Sequence, residues 1–368
     1  MSDPRRYAAY APQMALPDPD EAALAEEMSE VLLRISQQTW EDSHHALRSV
    51  HAKSHGLLAA TLEVLPGLPP ELAQGLFARP GRYEAVMRFS TTPGDLLPDR
   101  VSTPRGLALK FLDVPGERLE GSEAAHCQDL LMVNGPQFNA PNAKAFLRSL
   151  KLLAPTTDRA ERTKQVLSAL LRGTERALEA VGGQSAKLKS MGGEPPHHIL
   201  GETFFTQLPL RYGAHVAKLQ LVPVDPGLLA HRDERVDLKQ ANALRDAVSA
   251  HFASQGGVWE LRVQLSTDLE RMPIDDATVV WDEAESPFRT VARLTASPQV
   301  GWSQDKARLV DDQMGFSPWH GVQDHRPLGD IMRIRKRAYE ASQDFRARKS
   351  GCPLHDRSLA PDAQDEST

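Results

Sequence analysis

Apolar residues fall at helical spacing from Asp18 to Arg48, where Leu24, Met28, Leu32 and Ile35 share a face and predict an amphipathic helix. The period then shortens to two. LLAATLEV at 57–64, YEAVMRFS at 83–90, RGLALKFLDV at 105–114 and DLLMVN at 129–134 read as strands, each bounded by Gly or Pro turns. Residues 142–190 return to a helical pattern, in NAKAFLRSLKLLA and ERTKQVLSALLRGTERALEAV, and read as an insertion packed on the sheet. Strand character resumes at 215–224, 259–268, 277–283 and 289–296, with a helix over 238–254 between the first two. Short strands at such intervals with few crossover helices predict an antiparallel α+β protein.

The pattern divides the chain into an N-terminal arm and helix (1–47), one large domain (48–350) and a polar tail (351–368). At 368 residues a large core is affordable, and 40% hydrophobic with 25% charged residues is ordinary for a soluble globular protein. A net charge of −6, with no basic run or aromatic ladder, argues against nucleic acid as a partner. No apolar stretch follows the first arginines, and no window reaches the roughly 18 apolar residues of a membrane span, so a cytoplasmic protein is expected. Cys127 and Cys352 are too few for a disulfide framework and read as reduced thiols. No zinc-ligand spacing is visible in the chain.

Two distant segments carry candidate chemistry. In RIRKRAYEASQDFR (333–346) a helix brings Arg335, Tyr339, Ser342 and Arg346 onto one stripe. A phenol ionises near pH 10 in water, so it becomes a metal ligand only where cations stabilise phenolate. Arg335, one turn before Tyr339, is placed for that task. Tyrosinate is one of the few axial ligands used for haem iron, although a solvated basic helix face would show the same spacing. The other segment, RSVHAKSHG (48–56), offers a neutral imidazole.

The order Arg48, Val50, His51, Ala52, Lys53 resembles the distal-histidine segment of haem catalases. RFSTTPGD (88–95), STPRGLALKF (102–111) and DLLMVNGPQF (129–138) resemble that family's next stretches in the same order, and Arg335 to Tyr339 falls where it places the proximal ligand. The resemblance runs from about residue 45 to 350, and it is closest to the shorter catalase-related haem proteins. It implies a closed antiparallel β-barrel with helical additions, a proximal helix over about 328–348, and haem b (iron protoporphyrin IX) as cofactor. Hydrogen peroxide or an organic hydroperoxide would be substrate, with a small organic electron donor and a homo-oligomer both compatible.

By the same resemblance Tyr339 would be the axial iron ligand and His51 the distal acid–base. Of the thirteen histidines it alone stands in that motif, whereas His44, His45, His55, His197 and His198 read as surface imidazoles. Ser90 would fix the His51 tautomer. Arg48, Arg88 and Arg346 would pair with haem propionates, for which a permanently charged planar fork is suited. Phe138 and Phe146 match aromatics that flank the pocket and haem edge, and Val50 stands beside the distal histidine. Asn134 would donate an amide N–H to bound peroxide, but the family's usual GNNTP stretch reads MVNGP here, so Val133 could take that place instead. The long terminal regions of large catalases have no counterpart, which implies a more open pocket. The implied function is catalase or peroxidase activity. The rivals are a hydroperoxide-rearranging enzyme of the allene oxide synthase type, whose usual threonine beside the distal histidine is Val50 here, and a non-catalytic haem-binding or sensing protein.

Overall fold

The computed structural model describes residues 7–153, 194–351, 354, 355 and 359. Nine strands form one antiparallel sheet: β1 (Lys53–Val64), β2 (Gly81–Thr91), β3 (Arg105–Phe111), β4 (Gln128–Val133), β5 (Phe204–Phe205), β6 (Leu210–Tyr212), β7 (His215–Pro223), β8 (Gly257–Leu265) and β9 (Arg289–Ala296). Their order is β5-β4-β3-β2-β1-β9-β8-β7-β6, and a further β5–β7 pairing closes an eight-stranded ring with β6 outside it. Closure leaves the ring without a free edge, the usual liability of an antiparallel sheet.

Period-two alternation sorts the strand residues between two surfaces. Leu58, Met87, Leu109 and Leu130 oppose one another across β1 to β4 and lie in the barrel's interior core. Their neighbours Leu57, Arg88, Ala108 and Leu131 form the adjacent row and face outward. That outer wall is covered partly by Val310, Met314 and Phe316, which pack on Leu57 and Val86.

Helices α1 (Glu21–Ser43), α2 (Ala143–Leu153) and α4 (Asp330–Ser350) form a separate layer whose apolar faces meet through Met28, Val31, Ala143, Leu147, Ile334 and Ala338; α3 (Ala243–Phe252) packs against β1. Arg333 grips Glu21 with both Nε and Nη2, at 2.8 and 2.7 Å, and ties α4 to the start of α1. Arg348 and Lys349 in the last turn of α4 complement its dipole before Gly351 ends it at φ 66°.

Two expectations are corrected. Residues 277–283 form no strand: Ala277 accepts from Phe138 N and donates to Pro141, so the segment braces the approach to α2 instead of joining the ladder. Helix α1 stops at Ser43 because His44 adopts the left-handed conformation (φ 51°) and donates its N–H to Trp40 O. Of the helical stretch expected at 142–190, Ala143–Leu153 is helical; the remainder, like Cys352, lies outside the described residues. Cys127 is a buried thiol that accepts from Lys110 Nζ at 3.2 Å. Among the described residues no helix is long and apolar enough to cross a membrane.

Candidate functional site

The β2–β4 register assembles one side of the site. Ser90 opposes Gly106, and Gly106 opposes Val133, so the three share an outward-facing row. His51 lies directly on this row. A Cβ added to Gly106 would stand 2.5 Å from His51 Cε1 and Nδ1, so glycine is what lets the imidazole rest on the sheet. Ser90 Oγ lies 3.3 Å from His51 Nδ1 and donates to Gly106 O at 3.4 Å. Since the hydroxyl proton goes to the carbonyl, Nδ1 supplies the proton in the histidine contact, which leaves a lone pair on Nε2. The backbone of His51 is itself left-handed (φ 54°) and is held by Arg88 Nη2, which donates to His51 O at 2.9 Å. Burial, reinforced by Arg88 and Arg335, pushes the His51 imidazole down to about 3. The ring is therefore neutral at physiological pH.

The effect of Arg335 on His51 places the two within electrostatic reach, although one stands on α4 and the other before β1. Arg335 Nη2 donates to Tyr339 Oη at 2.7 Å. Ser342, further along that stripe, accepts from Ser49 Oγ at 2.9 Å and so links α4 to the segment that delivers His51. Phe138 and Phe146 meet edge to face, with centroids 5.0 Å apart, and, like Met332 of α4, pack against the cluster of Leu208, Ala277 and Ile331. Val50, beside His51, remains 40% exposed.

Arg48, Arg88 and Arg346 converge around the turn Arg308–Asp312. Arg88 Nε donates to Asp311 Oδ1 at 2.7 Å, Arg48 Nη2 to Val310 O at 2.6 Å and Arg346 Nη2 to Asp311 O at 2.6 Å. Burial, followed by the neighbouring guanidiniums, drives Arg48 well below its ordinary value and Arg346 down to about 10. Asp311 is the carboxylate bonded to Arg88, and Asp312 adds a second negative charge nearby; burial would raise Asp311, but Arg88 and Arg48 hold it low. Positive charge is thus in excess, and Arg48 Nε and Arg346 Nε are buried without partners. Such a cluster suits a ligand bearing carboxylates. With a cradle for His51, a phenol capped by arginine and this anion-seeking cluster, the residues fit haem.

Sequence reading overlooked Asp311, for which the chain carries no signal, and Gly106, which lay unremarked inside a matching stretch. It also left Asn134 and Val133 unresolved. Val133 joins the Ser90–Gly106 row, whereas Asn134 accepts from Arg105 N at 2.9 Å and donates to Glu194 at 2.8 Å. The expected amide on the His51 face is therefore a valine, because the strand ladder runs through residue 133 and turns after it. Two of the supposed surface imidazoles are also corrected: His55 is 0% and His198 3% exposed, since β1 and the turn after His198 fold both rings inward.

If the Gly106 cradle sets the His51 ring, Gly106→Ala must displace it. Under the haem-dependent peroxide chemistry proposed below, turnover is expected to fall about 100-fold, as for an ångström-scale misplacement, with haem content unchanged. Unaltered turnover would show that the ring tolerates the shift.

The fold is that of the catalases. A fungal catalase superposes with a TM-score of 0.55 at 18% identity, over 90% of this chain and 67% of the other. A bacterial catalase gives 0.60 at 16% identity, over 96% and 66%. Catalase A from Saccharomyces cerevisiae gives 0.56 at 16% identity, over 90% and 70%. The chain thus spans about two thirds of the length of these structures. No protein-family model and no curated protein sequence matches it.

Proposed function

We propose that this protein binds one haem b per chain and uses it to consume peroxides. The reading rests on one juxtaposition: a neutral His51 with its Nε2 lone pair free stands within electrostatic reach of an arginine-capped Tyr339, beside arginines with unpartnered buried nitrogens. Haem, when bound, supplies an iron centre at which a peroxide O–O bond can be cleaved. Tyr339 Oη would be its protein ligand, and Arg335 donates to that oxygen as an anionic ligand requires. Arg48, Arg88 and Arg346 would receive the propionates.

His51 Nε2 is the group suited to take the proton from one peroxide oxygen and return it to the other as water leaves. Ser90 and the Arg88 contact to His51 O hold the ring in orientation. Val133 presents methyl groups where an amide donor was expected, so the wall beside His51 offers hydrogen peroxide no second hydrogen bond from that position. This favours reduction of peroxide with a small aromatic donor over rapid disproportionation.

Steady-state assays of the haem-loaded protein test this directly. Donor oxidation is expected to exceed oxygen release from hydrogen peroxide alone. Oxygen release without donor oxidation would overturn that balance, an epoxide from a fatty acid hydroperoxide would favour rearrangement, and failure to take up haem would end the whole reading.

A further inference from the structure

A second cluster lies away from the proposed peroxide site, on the two segments 196–201 and 231–236. These are bound backbone to backbone: His198 N donates to Glu234 O and Val236 N to Pro196 O, each at 2.8 Å, and His197 bridges Arg235. Gly201 makes the approach possible, because a Cβ there would stand 2.3 Å from His231 O. The result is a close stack of the His198 and His231 rings, with centroids 3.8 Å apart and planes within 9°. Glu234 reaches His231 Nδ1 from one turn further on.

The ring protons can be assigned from the partners. His251 Nε2 faces Gly256 O at 2.9 Å, and a carbonyl can only accept, so His251 Nδ1 carries a lone pair. That lone pair receives His231 Nε2–H at 2.9 Å. His198 accepts at the corresponding nitrogen: Leu200 N–H donates to its Nδ1 at a long 3.2 Å. His198 Nδ1 therefore carries a lone pair. His231 Nδ1 shares a proton with the Glu234 carboxylate, which a metal ion would displace, and its Nε2–H is held by His251. This is how metal-ligating histidines are usually oriented, with the distal N–H held by an outer acceptor.

We propose that His198, His231 and Glu234 form a binding site for a divalent transition-metal ion of the zinc type, with His251 as the outer partner that fixes His231. One ligand atom from each of the three lies within 4.8 Å of the others. Two imidazoles and a carboxylate match the ligand preference of zinc, cobalt and nickel, and three protein ligands leave a position for water. Access is available, since the Glu234 side chain is half exposed and that of His231 is 19% exposed. The ion replaces the long Leu200 contact and joins the approach to β5 to the chain beyond β7, at a site separate from His51 and Tyr339.

The test uses the untagged full chain, dialysed against chelator and titrated with Zn2+ by calorimetry and with Co2+ by visible absorption. One equivalent is expected that His231→Gln and Glu234→Gln each weaken at least about tenfold, the lower end of what loss of even an outer partner costs. Zn2+ should raise the thermal midpoint of the parent protein and leave both variants unmoved. Because Glu234 is half exposed, Glu234→Gln keeps the comparison valid if His231→Gln fails to fold. Equal binding in all three proteins, or none, overturns the proposal and leaves the cluster as a proton-bridged His231–Glu234 pair.

Discussion

Tyr339→Phe is expected to abolish the high-spin ferric haem spectrum characteristic of tyrosinate ligation. The parent protein carries the phenolic oxygen on α4 with Arg335 Nη2 at 2.7 Å, and this is the anionic oxygen we propose as the iron ligand. The substitution removes one hydrogen bond at a half-buried position, worth about 1.5–3 kcal/mol when a charged group is involved. That is less than the roughly 5–15 kcal/mol stability of a typical domain. A folded chain with lost or grossly altered haem absorption is therefore the anticipated product, and far-ultraviolet circular dichroism separates it from an unfolded one. An unchanged haem spectrum would move the ligand to another residue.

His51→Ala is expected to keep haem and lose peroxide turnover by about 100- to 10,000-fold, the usual contribution of a positioned acid–base. Haem retention follows because the proposed ligand and the arginine cluster lie on other residues. The same group sets a pH expectation. Its imidazole is held down to about 3, chiefly by burial, so acidification from pH 8 to 5 leaves the base unprotonated. Turnover should show no loss through the ordinary histidine range near 6.5. Turnover of His51→Ala within about threefold of the parent, or a parent rate that falls with an apparent value near 6.5, would remove His51 from the role assigned here.

Several parts of the site were legible because local chemistry announces them. Arg335 and Tyr339 are one helical turn apart, and any helix through 333–346 must bring them onto one face, as α4 does. His51 and Ser90 stood in stretches whose order matched a known family, and the ladder joined them through Gly106. By contrast, Val133 and Asn134 differ by one position, and a one-residue step in a strand reverses the face of every side chain. Only the β3–β4 register could choose between them.

The alternation that makes β1 to β4 two-faced, the helical stripe of Arg335, Tyr339 and Ser342, and the motif order that pointed to the catalase fold are all readable along the chain. Those are short-range properties, fixed by the strand and helix periods. The tertiary structure decided what met what. Closure through β5 and β7 could not be read from two-residue strand signals, and the convergence of Arg48, Arg88 and Arg346 on Asp311 joins residues up to about 300 positions apart. The same holds for His198, read as a surface imidazole, which stacks on His231 because Gly201 allows two backbones to touch. Burial of an imidazole depends on such long-range packing, and its residue type alone does not reveal it.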